Sequence, residues 1–174
     1  MSAVLVSDAS GHGSGVHIGH GYIVTAAHVV EDKSSMDVTD SLGTKHAGTV
    51  LWSNKAYDVA LIRIDDYGDV RKSALNCSPP PIGANIVAKG NPLNLQNITT
   101  WGRVASDVRE RAPWKLSFIA DITIAPGMSG GPVFDSRGNV VGISVGIAVM
   151  PMMGVTAISY IVPSEAVCAL MARA

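Results

Sequence analysis

Short β-rich runs, separated by glycine, proline and asparagine, recur along the whole chain. One of them, Val59–Ile64, is almost entirely apolar, which is typical of a strand buried over most of its length. Gly19-His20-Gly21 joins two such runs and predicts a tight hairpin. Many short strands with turn signals between them indicate an all-β sandwich or barrel. The runs are Gly15–Ile18, Tyr22–Thr25, Val59–Ile64, Asn85–Lys89, Leu116–Ile119, Val140–Val145 and Val155–Ile161.

A run of prolines, Pro79–Pro81, interrupts this pattern near the middle of the chain. Proline stiffens the backbone and cannot donate to a strand ladder, so the run predicts a crossing between two β units. We expect the first unit to span residues 1–76, the linker 77–83 and the second unit 84–174. A helix is predicted at the C-terminal end, with Ser164 as its cap.

The composition argues against several classes of function. Hydrophobic residues make up 47% of the chain and charged residues 16%, which favours a well-packed globule over disorder. The net charge of −1, with lysine and arginine scattered, predicts no nucleic-acid surface. The longest apolar run, Ile143 to Met153, is interrupted by Gly146 and Pro151, so we expect no membrane span.

The two cysteines, Cys77 and Cys168, are too few for a disulfide scaffold, and we expect both to be free thiols. The first residues, Met1-Ser2-Ala3, lack the basic segment of a secretory signal. A cytoplasmic location is therefore expected, which would be the host cytoplasm if the chain is viral.

The segment Pro126–Val133 holds a serine within a run of glycines. Glycine permits dihedral angles and close backbone approaches that side chains forbid. Taken alone, such a run is usually a turn. As a functional site it would present Ser129 as a nucleophile, with the N–H groups of Gly127 and Ser129 directed at one developing oxyanion.

A histidine and an aspartate precede this segment in equally specific settings. His28 follows a strand-like run, and Asp58 opens the apolar run Val59–Ile64. Singly, the histidine is more simply a buried core residue and the aspartate a turn residue. Together with Ser129 they provide a nucleophile, a base and a carboxylate that orients the base, as acyl transfer requires. His-Asp-Ser is one of the known chain orders of this device, and it predicts a site between the two β units.

Other residue types that can carry function have simpler interpretations. The histidines lack cysteine partners and recognisable ligand spacing, so we expect no metal site. The tryptophans are interpreted as packing residues. An α/β-hydrolase is disfavoured because Pro132-Val133 follows the serine where that fold begins a helix. The histidines concerned are His12, His17, His20 and His28, and the tryptophans are Trp52, Trp101 and Trp114.

The same residues carry a family resemblance. The chain resembles the trypsin-like serine proteases of the chymotrypsin fold, and is most similar to the protease domain of the HtrA/Do group. The similarity extends over residues 13–146. Four blocks carry it: Gly13-Ser14-Gly15-Val16 with Gly21 through Val30, Tyr57 through Ile62, Gly83 through Pro92, and Asp121 through Pro132.

This resemblance implies two packed antiparallel β-barrels with a C-terminal helix, and a serine endopeptidase that needs no cofactor and takes a polypeptide substrate. His28 would be the general base, Asp58 the orienting carboxylate and Ser129 the nucleophile. The N–H groups of Gly127 and Ser129 would form the oxyanion hole.

The resemblance also implies a substrate pocket. Thr123 would form its floor, and the strand with Ser144, Val145 and Gly146 would form its wall and pair with the substrate backbone. Ser144 would also form a hydrogen bond near Asp58. None of these residues is charged, so we expect a neutral pocket.

Several features depart from the family pattern and leave other functions open. The PDZ modules of the HtrA/Do group are not part of this sequence, and Met128 replaces the aspartate of digestive zymogens. Compact proteases of this kind also process viral polyproteins. A binding or scaffold protein without turnover is a further alternative, which the presence of all three triad residues disfavours. The oligomeric state does not follow from the sequence.

Overall fold

The computed structural model describes residues 1–93, 95–150 and 154–173. Its first half is a closed antiparallel barrel in the order β1-β2-β3-β6-β5-β4. The apolar side chains of these strands fill the barrel, with Val6, Ile23 and Ile62 fully buried. The strands are β1 (Val4–Asp8), β2 (Gly11–His17), β3 (Tyr22–Thr25), β4 (Ser35–Thr39), β5 (Lys45–Asn54) and β6 (Val59–Ile64).

The turn predicted at Gly19-His20-Gly21 is confirmed. It joins β2 and β3, which pair antiparallel, and Tyr22 N–H donates to the Gly19 carbonyl at 3.0 Å. All three turn residues have positive φ angles, between 55° and 106°. Glycine adopts this region without strain, which is why the hairpin closes here.

The second half is an antiparallel sheet in the order β13-β12-β11-β7-β8-β10-β9. Because β10 also pairs with β13, the sheet closes on itself as a second barrel. Its own apolar core includes Phe118 and Ile86. The strands are β7 (Asn85–Gly90), β8 (Ile98–Val104), β9 (Arg109–Arg111), β10 (Trp114–Asp121), β11 (Pro132–Phe134), β12 (Val140–Met150) and β13 (Gly154–Pro163).

The connection between β6 and β7 contains the proline run Pro79–Pro81. Part of it lies along the second barrel, since Asn76 N–H donates to the Val140 carbonyl at 2.8 Å. The unit boundaries at 76 and 83 stay a prediction of the sequence. The described residues also form two helices, the four-residue α1 (Ala27–Val30) and the C-terminal α2 (Ser164–Arg173).

The predicted C-terminal helix is confirmed, but Ser164 acts differently from a cap. Ser164 is the first helical residue, and its buried hydroxyl donates to the Val140 carbonyl at 2.6 Å. The hydroxyl therefore ties the start of α2 to β12. Val167 and Leu170 are buried against a core that both barrels share.

The expectation of free thiols was wrong. Cys77, just before the proline run, and Cys168, on α2, form a disulfide with their Cα atoms 6.1 Å apart. The two cysteines are 91 residues apart in sequence, so only the packing of α2 against the inter-barrel segment brings them together.

Two further expectations can be compared with the described residues. Neither of the two helices is long and apolar enough to cross a membrane. Residues 151–153 of the long apolar run lie outside the described part of the chain. Trp101 was interpreted as a core or inter-strand packing residue, but on β8 it is 73% exposed.

Candidate active site

His28 and Asp58 are joined at two points. His28 lies on α1, directly after β3, and Asp58 directly precedes β6. The His28 backbone N–H donates to Asp58 Oδ1 at 2.9 Å, and His28 Nδ1 lies 2.8 Å from Asp58 Oδ2. An ionised carboxylate only accepts hydrogen bonds, so Nδ1 carries the proton and Nε2 remains free to accept one. The arrangement thus fixes both the orientation and the tautomer of the imidazole.

The surroundings of this pair increase the basicity of the histidine. Asp58 is buried, with its side chain 10% exposed, whereas the His28 side chain is 48% exposed. The hydrogen bond from Asp58 raises the pKa of His28 above its usual value, and the charges of Asp58 and Glu31 act in the same direction. Partial burial opposes this change in pKa and is outweighed. The imidazole is therefore a stronger base than a free histidine.

Ser129 lies in a backbone loop that hydrogen bonds hold on both sides. The Ser14 N–H on β2 donates to the Ser129 carbonyl at 2.8 Å, and Gly130 N–H donates to the Ser144 carbonyl at 2.8 Å. Gly130 has φ of 86°, and a Cβ there would collide with the Ser14 carbonyl oxygen. The local glycines are thus required by both the turn and the close approach of β2.

The two proposed oxyanion donors lie in peptide groups of fixed orientation. The Pro126 carbonyl accepts from Leu93 N–H at 3.1 Å, and the Met128 carbonyl accepts from Gly131 N–H at 2.9 Å. The C=O and N–H of a trans peptide point in opposite directions, so the N–H groups of Gly127 and Ser129 point away from these partners. Within the described residues neither N–H donates a hydrogen bond. Both are available to an oxyanion.

The carbonyl between these donors is held by the buried hydroxyl of Ser14. Ser14 Oγ donates to the Gly127 carbonyl at 2.8 Å and accepts from the Asn91 N–H at 3.0 Å. Ser14 belongs to the first barrel, whereas Asn91 and Gly127 belong to the second. One hydroxyl therefore connects the oxyanion loop to both halves of the molecule.

Met128 occupies the position of the zymogen aspartate and is part of the apolar core of the second barrel. Its Sδ accepts from the Ala125 N–H at 3.4 Å. The thioether therefore forms a hydrogen bond within the loop. Position 128 carries no charge that could pair with an N-terminal ammonium group.

His28 and Ser129 line one cleft of about 310 Å³, together with Gly127 and Pro126. Ser129 Oγ makes no hydrogen bond to His28 or to any other described residue. Catalytic hydrogen bonds are often long before substrate binds. The structure thus brings His28 and Ser129 to one cleft, with Asp58 hydrogen-bonded to His28.

Comparison with known proteins identifies the family. The family described as "Trypsin-like peptidase domain" matches residues 13–143. The chain belongs to the trypsin-like peptidase family.

The curated relatives of this chain are HtrA/DegP-like serine proteases, as its motifs indicate. A putative serine protease HhoA from Synechocystis sp. is 35% identical over 79% of this chain and 37% of its own length. A probable periplasmic serine endoprotease DegP-like from Chlamydia pneumoniae is 34% identical over 83% of this chain and 30% of its own. The chain thus spans about a third of the length of these relatives.

Solved structures show that the chain has the chymotrypsin-like fold. The serine endoprotease from Yersinia pestis is 25% identical, with a TM-score of 0.82 over 98% of this chain and 61% of that chain. An inactive mutant form of Rv3671c from M. tuberculosis H37Rv is 20% identical, with a TM-score of 0.83 over 99% and 85%.

The predicted pocket residues lie in different environments. Thr123 is exposed after β10, where its carbonyl accepts from Thr100 Oγ1 at 2.8 Å, and it does not line the cleft of Ser129. Val145 is buried, and Gly146 faces Trp114. Their substrate-binding roles, like that of Ser144, stay predictions.

The hydrogen bond expected between Ser144 and the region of Asp58 is not formed. Ser144 Oγ is buried without a hydrogen-bond partner among the described residues. Besides His28, Trp114 donates to Asp58, with its Nε1 3.1 Å from Asp58 Oδ2. Sequence reasoning interpreted Trp114 as a packing residue, because nothing near it in sequence indicates a partner 56 residues away.

Two of the histidines considered as metal ligands, His12 and His17, have hydrogen-bond partners of other kinds. His17 is buried, with Nδ1 on the Val70 carbonyl and Nε2 accepting from Gly21 N–H, and its burial lowers its pKa. His12 Nε2 lies 3.2 Å from the Asn91 carbonyl oxygen. Within the described ranges, no three His, Cys, Asp or Glu side chains gather as a metal site requires.

Proposed function

We propose that this chain is a serine endopeptidase that cleaves peptide bonds through an acyl-enzyme. The observation that carries the proposal is the double attachment of His28 to Asp58 at the cleft that Ser129 lines. The free N–H groups of Gly127 and Ser129 beside that serine support it further.

In the first half-reaction, Ser129 Oγ attacks the carbonyl carbon of the peptide bond while His28 Nε2 takes the hydroxyl proton. Asp58 holds the imidazole through Nδ1 and stabilises the imidazolium that forms. The N–H groups of Gly127 and Ser129 donate to the negative carbonyl oxygen of the tetrahedral intermediate. His28 then gives its proton to the leaving amine, the C–N bond breaks, and Ser129 keeps the acyl group.

In the second half-reaction, a water replaces the amine. His28 takes a proton from the water as its oxygen attacks the acyl carbon, and it returns this proton to Ser129 Oγ when the ester bond breaks. The carboxylic acid leaves and the starting state is restored. No cofactor takes part in either half.

The test is covalent labelling with a fluorophosphonate, which reacts with a serine activated by a neighbouring base. We expect Ser129→Ala to remove labelling and turnover while leaving the melting temperature nearly unchanged. Ser10→Ala is the matched control: Ser10 lies at the rim of the same cleft, but its hydroxyl is bonded to Asp8. Labelling that survives Ser129→Ala would place the nucleophile elsewhere, and a wild-type chain that never labels would favour a silent binding protein.

We also propose that the substrate residue before the cleaved bond is small or medium and neutral, such as Val, Ala, Leu or Thr. None of the residues assigned to the pocket carries a charge that could pair with Lys, Arg or Glu. Burying an unpaired substrate charge costs several kcal/mol. Mass spectrometry of products from a peptide library checks this, and products ending mainly in charged residues would contradict it. The residues assigned are Thr123, Ser144, Val145 and Gly146.

The disulfide between Cys77 and Cys168 supports a further proposal, that the chain works in an oxidising compartment rather than in the cytoplasm. Reducing systems keep most cytosolic thiols free. Alkylation of the protein in intact cells, followed by mass measurement, tests this. Two alkylated cysteines would support the cytoplasmic location expected from the sequence.

A further inference from the structure

Trp114 reaches from the second barrel to the carboxylate of the first. It begins β10, and its indole N–H donates to Asp58 Oδ2 at 3.1 Å. The same oxygen lies 2.8 Å from His28 Nδ1. An sp² carboxylate oxygen has two lone pairs, so His28 and Trp114 together saturate Oδ2.

The indole ring and the backbone beside it have several further contacts. The ring lies against Tyr160, with ring centroids 4.9 Å apart and an interplanar angle of 30°. It also packs on Gly146, where a Cβ would lie 2.7 Å from the ring. The next residue, Lys115, donates its N–H to the Ala56 carbonyl at 2.8 Å, close before Asp58 in sequence. The donor is therefore fixed in place relative to Asp58.

We infer that Trp114 is a positioning residue of the triad, whose indole N–H sets the rotation of the Asp58 carboxylate on which His28 rests. This inference deepens the proposed endopeptidase function and rests on it. It gives Trp114 the place at Asp58 that the resemblance assigned to Ser144, whose hydroxyl has no partner among the described residues.

The dipole of the indole N–H also predicts an effect on the pKa of His28. The positive end of this dipole points at the carboxylate that His28 contacts, so it weakens the attraction between Asp58 and the imidazolium. Removing the N–H therefore raises the pKa of His28. The other charged groups around the same pocket are Glu31, Asp32 and Lys55, and a change at Trp114 leaves all three in place.

The test compares Trp114→Phe with Trp52→Phe. Both tryptophans are partly buried against the shared core, but the buried indole N–H of Trp52 has no partner among the described residues. Trp52→Phe therefore removes the same atoms without removing a hydrogen bond to Asp58. Loss of a hydrogen bond to a charged group changes an equilibrium constant about tenfold or more, so we expect Trp114→Phe to lower kcat about tenfold. The acid limb of the pH profile of kcat should also move to higher pH in Trp114→Phe. We expect Trp52→Phe to leave both kcat and the acid limb unchanged.

A second variant separates the N–H from the shape of the ring. Replacing Trp114 by benzothienylalanine keeps the bicyclic ring and removes the donor, and we expect it to behave like Trp114→Phe. Wild-type kcat and an unchanged acid limb in this variant would overturn the inference. The inference would also be overturned if Trp52→Phe lowers kcat as well, and if the loss of kcat in both variants is proportional to the fall in melting temperature. If Ser144→Ala shifts the acid limb of the pH profile and Trp114→Phe does not, Ser144 is the positioning residue.

A titration of His28 by NMR in the Ser129→Ala chain tests the inference without turnover. We expect the pKa of His28 to be higher when Trp114→Phe is added and unchanged when Trp52→Phe is added. An unchanged pKa in both would overturn the inference. A chain that shows the shift but no peptidase activity would refute the proposed function while leaving the contact between Trp114 and Asp58 supported.

Discussion

Replacing Ser14 by alanine removes one hydroxyl that the structure places between the two barrels and the oxyanion loop. Its Oγ is buried, accepts from the Asn91 N–H and donates to the Gly127 carbonyl. Each backbone group left unpaired in a buried site costs about 1–3 kcal/mol. Two such groups lose their partner, but Gly127 lines the cleft and is only half-buried, so we expect the free energy of unfolding to fall by about 2–4 kcal/mol. A domain with a typical stability of about 5–15 kcal/mol stays folded after such a loss.

The loss of activity should exceed what this destabilisation explains. Without the Ser14 hydroxyl, the Gly127 carbonyl loses this anchor, and the peptide between the two oxyanion donors can rotate and turn their N–H groups away. Removing one such donor outright costs about 100- to 1,000-fold in kcat. A donor that can still reach its position should lower kcat less when its support is removed, and we expect kcat to fall about 10- to 100-fold.

The assay measures kcat and KM on a neutral peptide substrate, binding of a peptide aldehyde, and unfolding in urea. The aldehyde forms a hemiacetal whose oxygen occupies the oxyanion hole, so its affinity should fall in parallel with kcat while KM changes little. The acid limb of the pH profile should not move, because His28 and Asp58 are untouched. These readouts distinguish the oxyanion loop from the triad.

Thr25→Val is the matched control. Thr25 Oγ1 donates to the Ser14 carbonyl at 2.7 Å, so this variant removes a buried hydrogen bond on the same segment and leaves the Ser14 hydroxyl in place. We expect a loss of about 1–2 kcal/mol in stability with kcat nearly unchanged. Wild-type kcat in Ser14→Ala, or equal loss of kcat in both variants, would refute the role of the hydroxyl.

Three further predictions follow from single features of the structure. Because Asp58 raises the pKa of His28 above 6.5, kcat/KM should fall with decreasing pH through a transition above that value, and a profile flat from about pH 5 to 8 would exclude His28 as the base. Gly130→Ala should abolish turnover and lower stability in urea far more than Gly43→Ala, since both glycines have positive φ but only Gly130 has backbone in the way of a Cβ. Replacing both Cys77 and Cys168 by serine should lower the free energy of unfolding by about 4–5 kcal/mol, as expected for a closed loop of this length, and an unchanged urea midpoint would contradict it.

Local patterns in the sequence predicted much of the fold, because neighbouring residues determine strands and turns. The apolar run Val59–Ile64 is strand β6 with the same bounds, and the turn Gly19-His20-Gly21 closes the predicted hairpin. Strand β5 was not predicted. Most of its residues are exposed or half-buried, so it lacks a hydrophobic pattern and is held instead by pairing with β4 and β6.

The residue types of the candidate site were also readable from the sequence. Ser129 among glycines, a histidine after one strand and an aspartate before another suit acyl transfer wherever they occur. Their order along the chain indicated a site between two β units, and the structure places His28 and Ser129 at one cleft with Asp58 bonded to His28. Their catalytic roles await the experiments described above.

Tertiary structure alone decided the partners that support this site. Ser14 is 77 residues from Asn91 and 113 from Gly127, and the two cysteines are 91 residues apart. Such contacts depend on how two closed barrels and a helix pack against one another, which no local pattern along the chain specifies. A hydroxyl or an indole N–H has no preferred partner in sequence, because its hydrogen bond is decided by which acceptor the packed backbone brings within about 3 Å.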